Sequence, residues 1–363
     1  MMRRRWLKGF SALAAVALLA AACGNDDDAT TDEEAEDEAP TDEGDGGGDG
    51  PSIGVVYDIG GRGDQSFNDA AFAGLERAVD ELGADGRDLE PDEGGENRGE
   101  LLQLLAEEGR ELIFGIGFLF TESIEQAAQD NPEVTFGIVD AVVEQPNVAS
   151  LTFAEEQGSF LVGAAAALTT ETDTVGFIGG VDTELIQKFQ AGYEAGVEAV
   201  NPDIEVLVNY ITQPPDFEGF NAPERAREIA DNQYSQGAGV IYHAAGGSGA
   251  GLFESARSTS ESSGSKVWAI GVDSDQAVTA GEEFADFILT SMLKRVDEAV
   301  FQTAEAFANG EEVGGQITVF DLEAGGIDFS TTGDNMGDDV IDQLEDFKSQ
   351  IISGEIEVPT VPQ

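Results

Sequence analysis

Ile53-Gly54-Val55-Val56-Tyr57-Asp58, running into Gly60-Gly61-Arg62-Gly63-Asp64-Gln65-Ser66-Phe67-Asn68, is the stretch on which the fold turns. Its first half is a short apolar run of strand type. Beyond the glycines, Ala71, Leu75, Ala78, Val79 and Leu82 keep helical spacing. In an open α/β sheet, ligands sit beyond the carboxyl ends of the strands, and glycine lets backbone approach them closely. The turn therefore reads as a binding edge. No Gly-Lys-Ser/Thr follows, and Asp64 puts negative charge where a phosphate would lie, so a phosphate-cradling loop is a poor reading. The aromatic face of Phe67, the amide of Asn68 and the acceptor Asp64 suit a neutral, flat, polar heterocycle. The other reading open at this point is local: Asp64 or Ser66 caps the helix and Phe67 staples it to the core.

Working outward, strand-like runs at 111–116, 134–140, 174–178, 204–210, 238–243 and 266–272 alternate with helical patterns at 100–108, 122–129, 155–168, 184–200, 222–234 and 251–257. Continuous Val/Ile/Phe strands between amphipathic helices predict parallel sheets covered on both faces. One sheet of this width would be unusual, and the pattern breaks at 146–153. The expected arrangement is a hinged clamshell with hinge crossovers, lobe 1 being 52–150 plus about 274–315 and lobe 2 being 151–273 plus about 316–363. Its pocket is the cleft between the lobes.

The amino terminus reads as an export leader, residues 1–22. Arg3-Arg4-Arg5-Trp6-Leu7-Lys8 precedes an apolar run to Ala22 that is short for a membrane span. The paired arginines fit a twin-arginine signal, a general secretory signal being the alternative. Cys23 is the only cysteine, so it has neither a disulfide partner nor companions for a metal site. Leu19-Ala20-Ala21-Ala22-Cys23 is similar to a lipobox, with Ala20 in place of leucine, and implies an acylated Cys23. Residues 24–51 hold 13 acidic residues and no basic ones. Too little apolar surface offsets ordering there, so 23–51 reads as a disordered tether, or else as an acidic interaction tail. Together these features place the protein on the extracytoplasmic face of the cell membrane, held by a lipid anchor.

Without the leader's four basic residues and the tether's 13 acidic ones, Ser52 onward carries 13 basic against 60 acidic residues, a formal charge of −47. Such a surface fits a halophilic source, where a Debye length of roughly 3 Å in molar salt screens self-repulsion. Nucleic acid and anionic lipid surfaces are poor partners for the same field, so no nucleic-acid partner is expected.

Several strand ends carry polar groups: Asp140 after Val139, Asp273 after Val272, and Tyr242-His243 ahead of Ala244 to Gly249. Lys294 lies in Thr290-Ser291-Met292-Leu293-Lys294-Arg295. These strings, with Ile113 to Phe120, Gly158-Ser159-Phe160-Leu161-Val162-Gly163, Val175 to Gly180, Phe189-Gln190-Ala191-Gly192-Tyr193 and Gly271 to Gln276, resemble in order the basic membrane protein family over about residues 52–320. That family comprises lipoprotein receptors of ABC importers, and its best understood members bind purine nucleosides.

The resemblance implies a type I periplasmic-binding-protein fold and a purine nucleoside delivered to permease and ATPase subunits, with no cofactor, no metal and no catalytic residue. It also implies a role for each matching residue. Phe67 would stack on the base, while Asn68 and Asp140 bond its edge. Asp273 and Lys294 would hold ribose hydroxyls, and Gly246 would approach the sugar. Tyr242 or His243 would close the stack from the second lobe. A monomer is expected. Other readings are a receptor for riboflavin or a sugar, a sensory co-receptor, or an enzyme on nucleosides. The last is disfavoured by a chain with one histidine and no second cysteine.

Overall fold

The computed structural model describes residues 50–92 and 94–362; the leader, Cys23 and the tether up to residue 49 lie outside the described residues. The apolar runs, joined by more polar strands at the edges, form two six-stranded sheets. The first contains β1 (Ser52–Val56), β2 (Asp85–Leu89), β3 (Leu112–Gly115), β4 (Thr135–Val139), β5 (Val148–Phe153) and β11 (Ile317–Phe320). Their order is β2-β1-β3-β4-β5-β11, all parallel. The second contains β6 (Thr174–Val181), β7 (Glu205–Thr212), β8 (Val240–Ala244), β9 (Trp268–Asp273), β10 (Ile288–Lys294) and β12 (Ile327–Phe329). Its order is β7-β6-β8-β9-β10-β12, with only β12 antiparallel.

Helices cover both sheets, which is why the central strands read as unbroken apolar runs. On the first sheet lie α1 (Phe67–Leu82), α2 (Arg98–Glu107), α3 (Thr121–Asp130) and α10 (Val296–Ala308). On the second lie α4 (Glu155–Thr169), α5 (Glu184–Val200), α6 (Pro223–Ser235), α7 (Gly249–Ser263) and α11 (Asp338–Ile352), with two single-turn helices, α8 (Gln276–Thr279) and α9 (Glu282–Ala285). Among the described residues no helix is long and apolar enough to cross a membrane.

The chain passes between the lobes three times: at Phe153–Glu155, at Lys294–Val296 and between Phe320 and Ile327. The second passage comes about 20 residues later than the boundary expected after Asp273. Ile288–Lys294 is a full strand hydrogen-bonded to β9, so only the helix that follows it packs against α1. The third passage is also later than expected, because Ile317–Phe320 pairs with β5 and stays with the first sheet.

Helices α4 and α5 approach closely because glycines line their seam. A side chain at Gly192 would strike the Glu156 carbonyl, one at Gly196 the Phe160 carbonyl and one at Gly163 the Tyr193 carbonyl. Overpacking a close backbone contact costs about 1–3 kcal/mol. Gly192→Val is accordingly expected to lower the stability of the folded domain by about 1–3 kcal/mol, measured as an earlier midpoint in denaturant titration. An unchanged midpoint would show that the seam is not tightly packed.

Candidate functional site

Strand order 2-1-3-4-5 repeats in both lobes, β2-β1-β3-β4-β5 and β7-β6-β8-β9-β10. Such sheets switch direction between β1 and β3, and between β6 and β8, leaving a crevice beyond those strand ends. The four switch-point loops, together with the first turns of the helices that follow them, supply most of one cleft between the lobes. The first lobe contributes Asp58, Ile59, Phe67 and Phe118; the second contributes Leu185, Ile186, Phe189, Phe220 and Ala244 to Gly246. The empty space in the cleft, open solvent at its mouth included, is about 590 Å³. Phe118 meets Phe217 and Phe220 edge-on across the mouth, at 6.1 and 6.5 Å between ring centres.

The polar end of the cleft is built on two strand ends. Asp140, just after β4, and Asp273, the last residue of β9, both have left-handed backbone, φ +68° and +63°. Aspartate adopts this conformation more readily than most residues. Lys294 ends β10 beside them and is only 2% exposed. Its Nζ lies 2.6 Å from Asp140 Oδ2 and 3.4 Å from Glu155 Oε1, while Glu155 Oε2 lies 3.4 Å from Lys188 Nζ. The rings of Phe67, Phe153 and Phe189 stand 5.0–5.5 Å from the same ammonium. Ser66 Oγ donates to Asp273 Oδ2 at 2.6 Å. Asp140 Oδ1 is buried with no hydrogen-bond partner.

Burial pushes the Asp273 carboxyl up to about 7, although Lys294 and Ser66 pull it down. It also raises Asp140, with Lys294 opposing and Glu155 adding to the rise. For Lys294, burial disfavours the charge, but Asp140, Glu155 and Asp273 together outweigh it and hold the ammonium above its ordinary value.

The structure places Phe67, Asn68, Asp140, Gly246, Asp273 and Lys294 on the cleft wall, and Asp64 with them. Asp64 is occupied locally: its oxygens accept from the backbone N–H of Ser66, Asn68 and Asp69 and from Asn68 Nδ2. That is the helix-cap alternative, and it uses about all of the four acceptor positions of a carboxylate. Asn68 is largely occupied too. Its Oδ1 accepts from the Asp58 N–H at 3.0 Å, and its Nδ2 donates to Asp64 and to the Ile59 carbonyl.

Tyr242 and His243 require a correction, because neither reaches the cleft. Tyr242 is fully buried against Phe177 and Tyr193 and bonds Ser159. His243 packs on Phe253 with Nε2 2.9 Å from Gln276 Oε1, and burial lowers its pKa to about 4. Both lie on a central strand whose two faces are covered by helices, so alternation along β8 sends each ring into a core layer. The aromatics facing the cleft from the second lobe are Phe189 and Phe220. Phe189 belongs to a family-like string in the sequence. Phe220 sits on a three-residue 3-10 turn, Glu218–Phe220, which leaves no periodic signal. Glu155 was likewise visible only as the first residue after a strand-to-helix break. Among the described residues no His/Cys/Asp/Glu group could hold a metal ion.

Burial raises six carboxyls, Asp58, Asp64, Asp140, Glu156, Glu194 and Asp273. Between the ordinary carboxylate value and about 7 the folded protein therefore binds more protons than the unfolded chain. The stability these groups contribute is full below about pH 4 and is lost as pH rises toward 7. The ligand-free thermal midpoint should fall between pH 4.5 and 7.5 at fixed salt. A rise through that window would contradict the burial of these groups.

Comparison with known proteins agrees with this geometry. Residues 52–361 match the family described as Bmp, ABC transporter substrate-binding protein PnrA-like. A CD4+ T-cell-stimulating antigen of Listeria monocytogenes is 37% identical over 323 residues, covering 86% of this chain and 88% of the relative. An ABC transporter nucleoside-binding protein BmpA of Lactococcus lactis is 34% identical, covering 84% and 88%. A solute-binding protein of an ABC transporter system from Aeropyrum pernix superposes with a TM-score of 0.74 at 29% identity, covering 86% of this chain and 94% of that one. By family match, by relatives and by its two-lobed α/β architecture, this chain belongs to the Bmp family of PnrA-like ABC transporter substrate-binding proteins.

Proposed function

We propose that the protein is the extracytoplasmic, lipid-anchored receptor of an ABC importer and that its ligand is a purine nucleoside. The observation that carries the ligand reading is the orphaned Asp140 Oδ1, a buried acceptor in a cleft walled by Phe67, Phe118, Phe189 and Phe220. A buried acceptor without a partner costs about 1–3 kcal/mol, which a ligand N–H or O–H would recover. Aromatic walls take the faces of a planar base, and Asp140, Asp273 and Lys294 take its polar edge and the sugar hydroxyls. The name of the Lactococcus relative as a nucleoside-binding protein supports the same class of ligand. Cys23 as the acylation point supports the anchor. A receptor is favoured over an enzyme because the sole histidine is locked to Gln276 outside the cleft.

Isothermal calorimetry of the mature chain in concentrated KCl tests the proposal with inosine, guanosine, adenosine, ribose and riboflavin. At least one nucleoside should bind with Kd of about 1 μM or tighter, near −8 kcal/mol. Binding of ribose or riboflavin with none of the nucleosides would refute the reading. Trp268 is a poor reporter, since it begins the strand that Asp273 ends and so lies about 16 Å away. Phe67→Ala should weaken binding about 5- to 150-fold, the equivalent of one base stack.

Ligand hydroxyls donate to ionised Asp273, so affinity should rise with pH through about 7. Below that it should change by up to about tenfold per pH unit. Asp273→Asn should weaken binding and flatten this profile; an unaltered profile in that variant would remove Asp273 from the site.

A further inference from the structure

Ser66 holds the position before α1 where a serine ordinarily caps a helix, yet its side chain makes no cap hydrogen bond. Asp64 caps the helix instead. The freed hydroxyl, fully buried, crosses to the other lobe. It donates to Asp273 Oδ2 at 2.6 Å and also lies 3.3 Å from the Val272 carbonyl. The backbone around it is gripped from the same side. The Ser66 carbonyl accepts from Ser274 Oγ at 3.1 Å. The Gln65 carbonyl accepts from Gln276 Nε2 at 3.2 Å and from Thr279 Oγ1 at 3.0 Å. Gln65 has φ +57°, a conformation costly for a residue of its type and held only where surroundings impose it.

The gripping loop is itself fixed to the second lobe. Gln276 Oε1 accepts from the Val272 N–H at 2.9 Å and lies 2.9 Å from His243 Nε2, while the Gln276 N–H donates to Ser291 Oγ at 3.0 Å. Two successive residues of the first lobe, between the glycine turn and the ring of Phe67, are thus clasped by side chains at 273, 274, 276 and 279 of the second.

We propose that Gln65-Ser66 is the closure latch of this receptor, and that Ser66 is a positioning residue which orients Asp273 for the ligand while fastening the ligand-bearing turn to the opposite lobe. The proposal rests on the nucleoside reading above and deepens it. One carboxylate serves both tasks. Its Oδ2 is taken by Ser66, and among the described residues nothing donates to Oδ1, which is left for a ligand hydroxyl. An O–H bond of 2.6 Å to a carboxylate has the length of a charge-assisted one. Latch and ligand therefore both favour ionised Asp273, so each strengthens the other, and the coupling is reciprocal. The groups facing Asp273 are Lys294 from β10, Asp64 from the turn before α1, Asp140 beyond β4 and the Tyr242 phenol from β8. Lys294 favours the ionised form, whereas the Asp64 and Asp140 carboxylates oppose it.

The test compares wild type, Ser66→Ala, Ser66→Thr and Ser274→Ala with inosine, guanosine and adenosine in concentrated KCl. Stopped-flow gives association and release rates, calorimetry gives affinity from pH 5.5 to 8.5, and small-angle X-ray scattering gives contraction on binding. Ser66→Ala should release ligand roughly tenfold to a hundredfold faster with association little changed, the loss of one charge-assisted bond. Its contraction should shrink, and the pH at which affinity develops should move upward, because Asp273 loses a donor to its ionised form. Ser66→Thr keeps the hydroxyl and should restore most of both effects. Ser274→Ala removes a latch donor without touching Asp273, and should speed release without moving the pH profile. That variant also carries the test if Ser66→Ala folds poorly. Release and pH profile equal to wild type in Ser66→Ala, beside a wild type that binds and contracts, overturn the latch alone. A wild type that binds none of the three nucleosides overturns the nucleoside reading and the latch with it.

Discussion

A single buried ammonium draws together carboxylates from both lobes. Lys294 is withdrawn almost completely from water, a placement that costs several kcal/mol unless carboxylates compensate it. Compensation comes from both sides of the cleft: Asp140 from the first lobe, Glu155 at the first residue of α4, and Asp273 near by. Lys294 ends the strand from which the chain leaves the second lobe, and Glu155 stands where the chain has just entered it. The ion cluster is therefore at the hinge itself, walled by Phe153, which stacks on Phe320 of the third passage at 5.2 Å. Asp140, Glu155 and Asp273 crowd the Lys294 ammonium and only Glu155 has a second cation, Lys188, beside it, which leaves an excess of acceptors and negative charge in a space with little water. A ligand that brings hydroxyl or amide donors relieves that excess, and one that brings a phosphate adds to it.

The two halves of the site are made alike. Each lobe uses the loops at its strand-order switch for apolar walls and the end of its fourth strand for an aspartate in left-handed backbone, Asp140 in one and Asp273 in the other. Neither lobe alone offers two aromatic walls and both carboxylates. Recognition is thereby tied to closure, because the full set of partners exists only when the lobes meet.

Much of this was legible in the sequence, for physical reasons that also mark where reading stopped. Central strands such as Ile53–Val56 and Phe136–Val139 are covered on both faces, and an unbroken apolar run is the direct result. β2, Asp-Gly-Arg-Asp-Leu, is an edge strand paired only with β1 and partly exposed, so burial never selected apolar residues there. The later lobe passage is hidden in the sequence because Ile-Leu-Thr-Ser-Met-Leu-Lys mixes hydroxyls into a buried strand; Thr290 donates to the Ser330 carbonyl and Ser291 accepts from the Gln276 N–H. A strand face does not supply the partner aromatic, because a cleft between α/β lobes is lined by strand ends, loops and helix starts. Ser66 carried a cap signature that proved to belong to Asp64, since sequence shows spacing but not which of two nearby oxygens turns inward.

Composition and recognition meet in the fate of the cations. Thirteen basic residues lie beyond the tether. Eleven of them are in ion pairs, and the other two, Arg257 and Lys266, lie over aromatic rings. No cation is left to draw an anion toward the cleft, and the surrounding field repels one. Affinity must then come from forces that act at contact: ring stacking, which survives screening, and hydrogen bonds inside a space that salt does not enter. A strongly acidic shell and the neutral, flat ligand proposed above are thus two sides of one constraint, since the charge that keeps the surface solvated rules out long-range attraction as a means of capture.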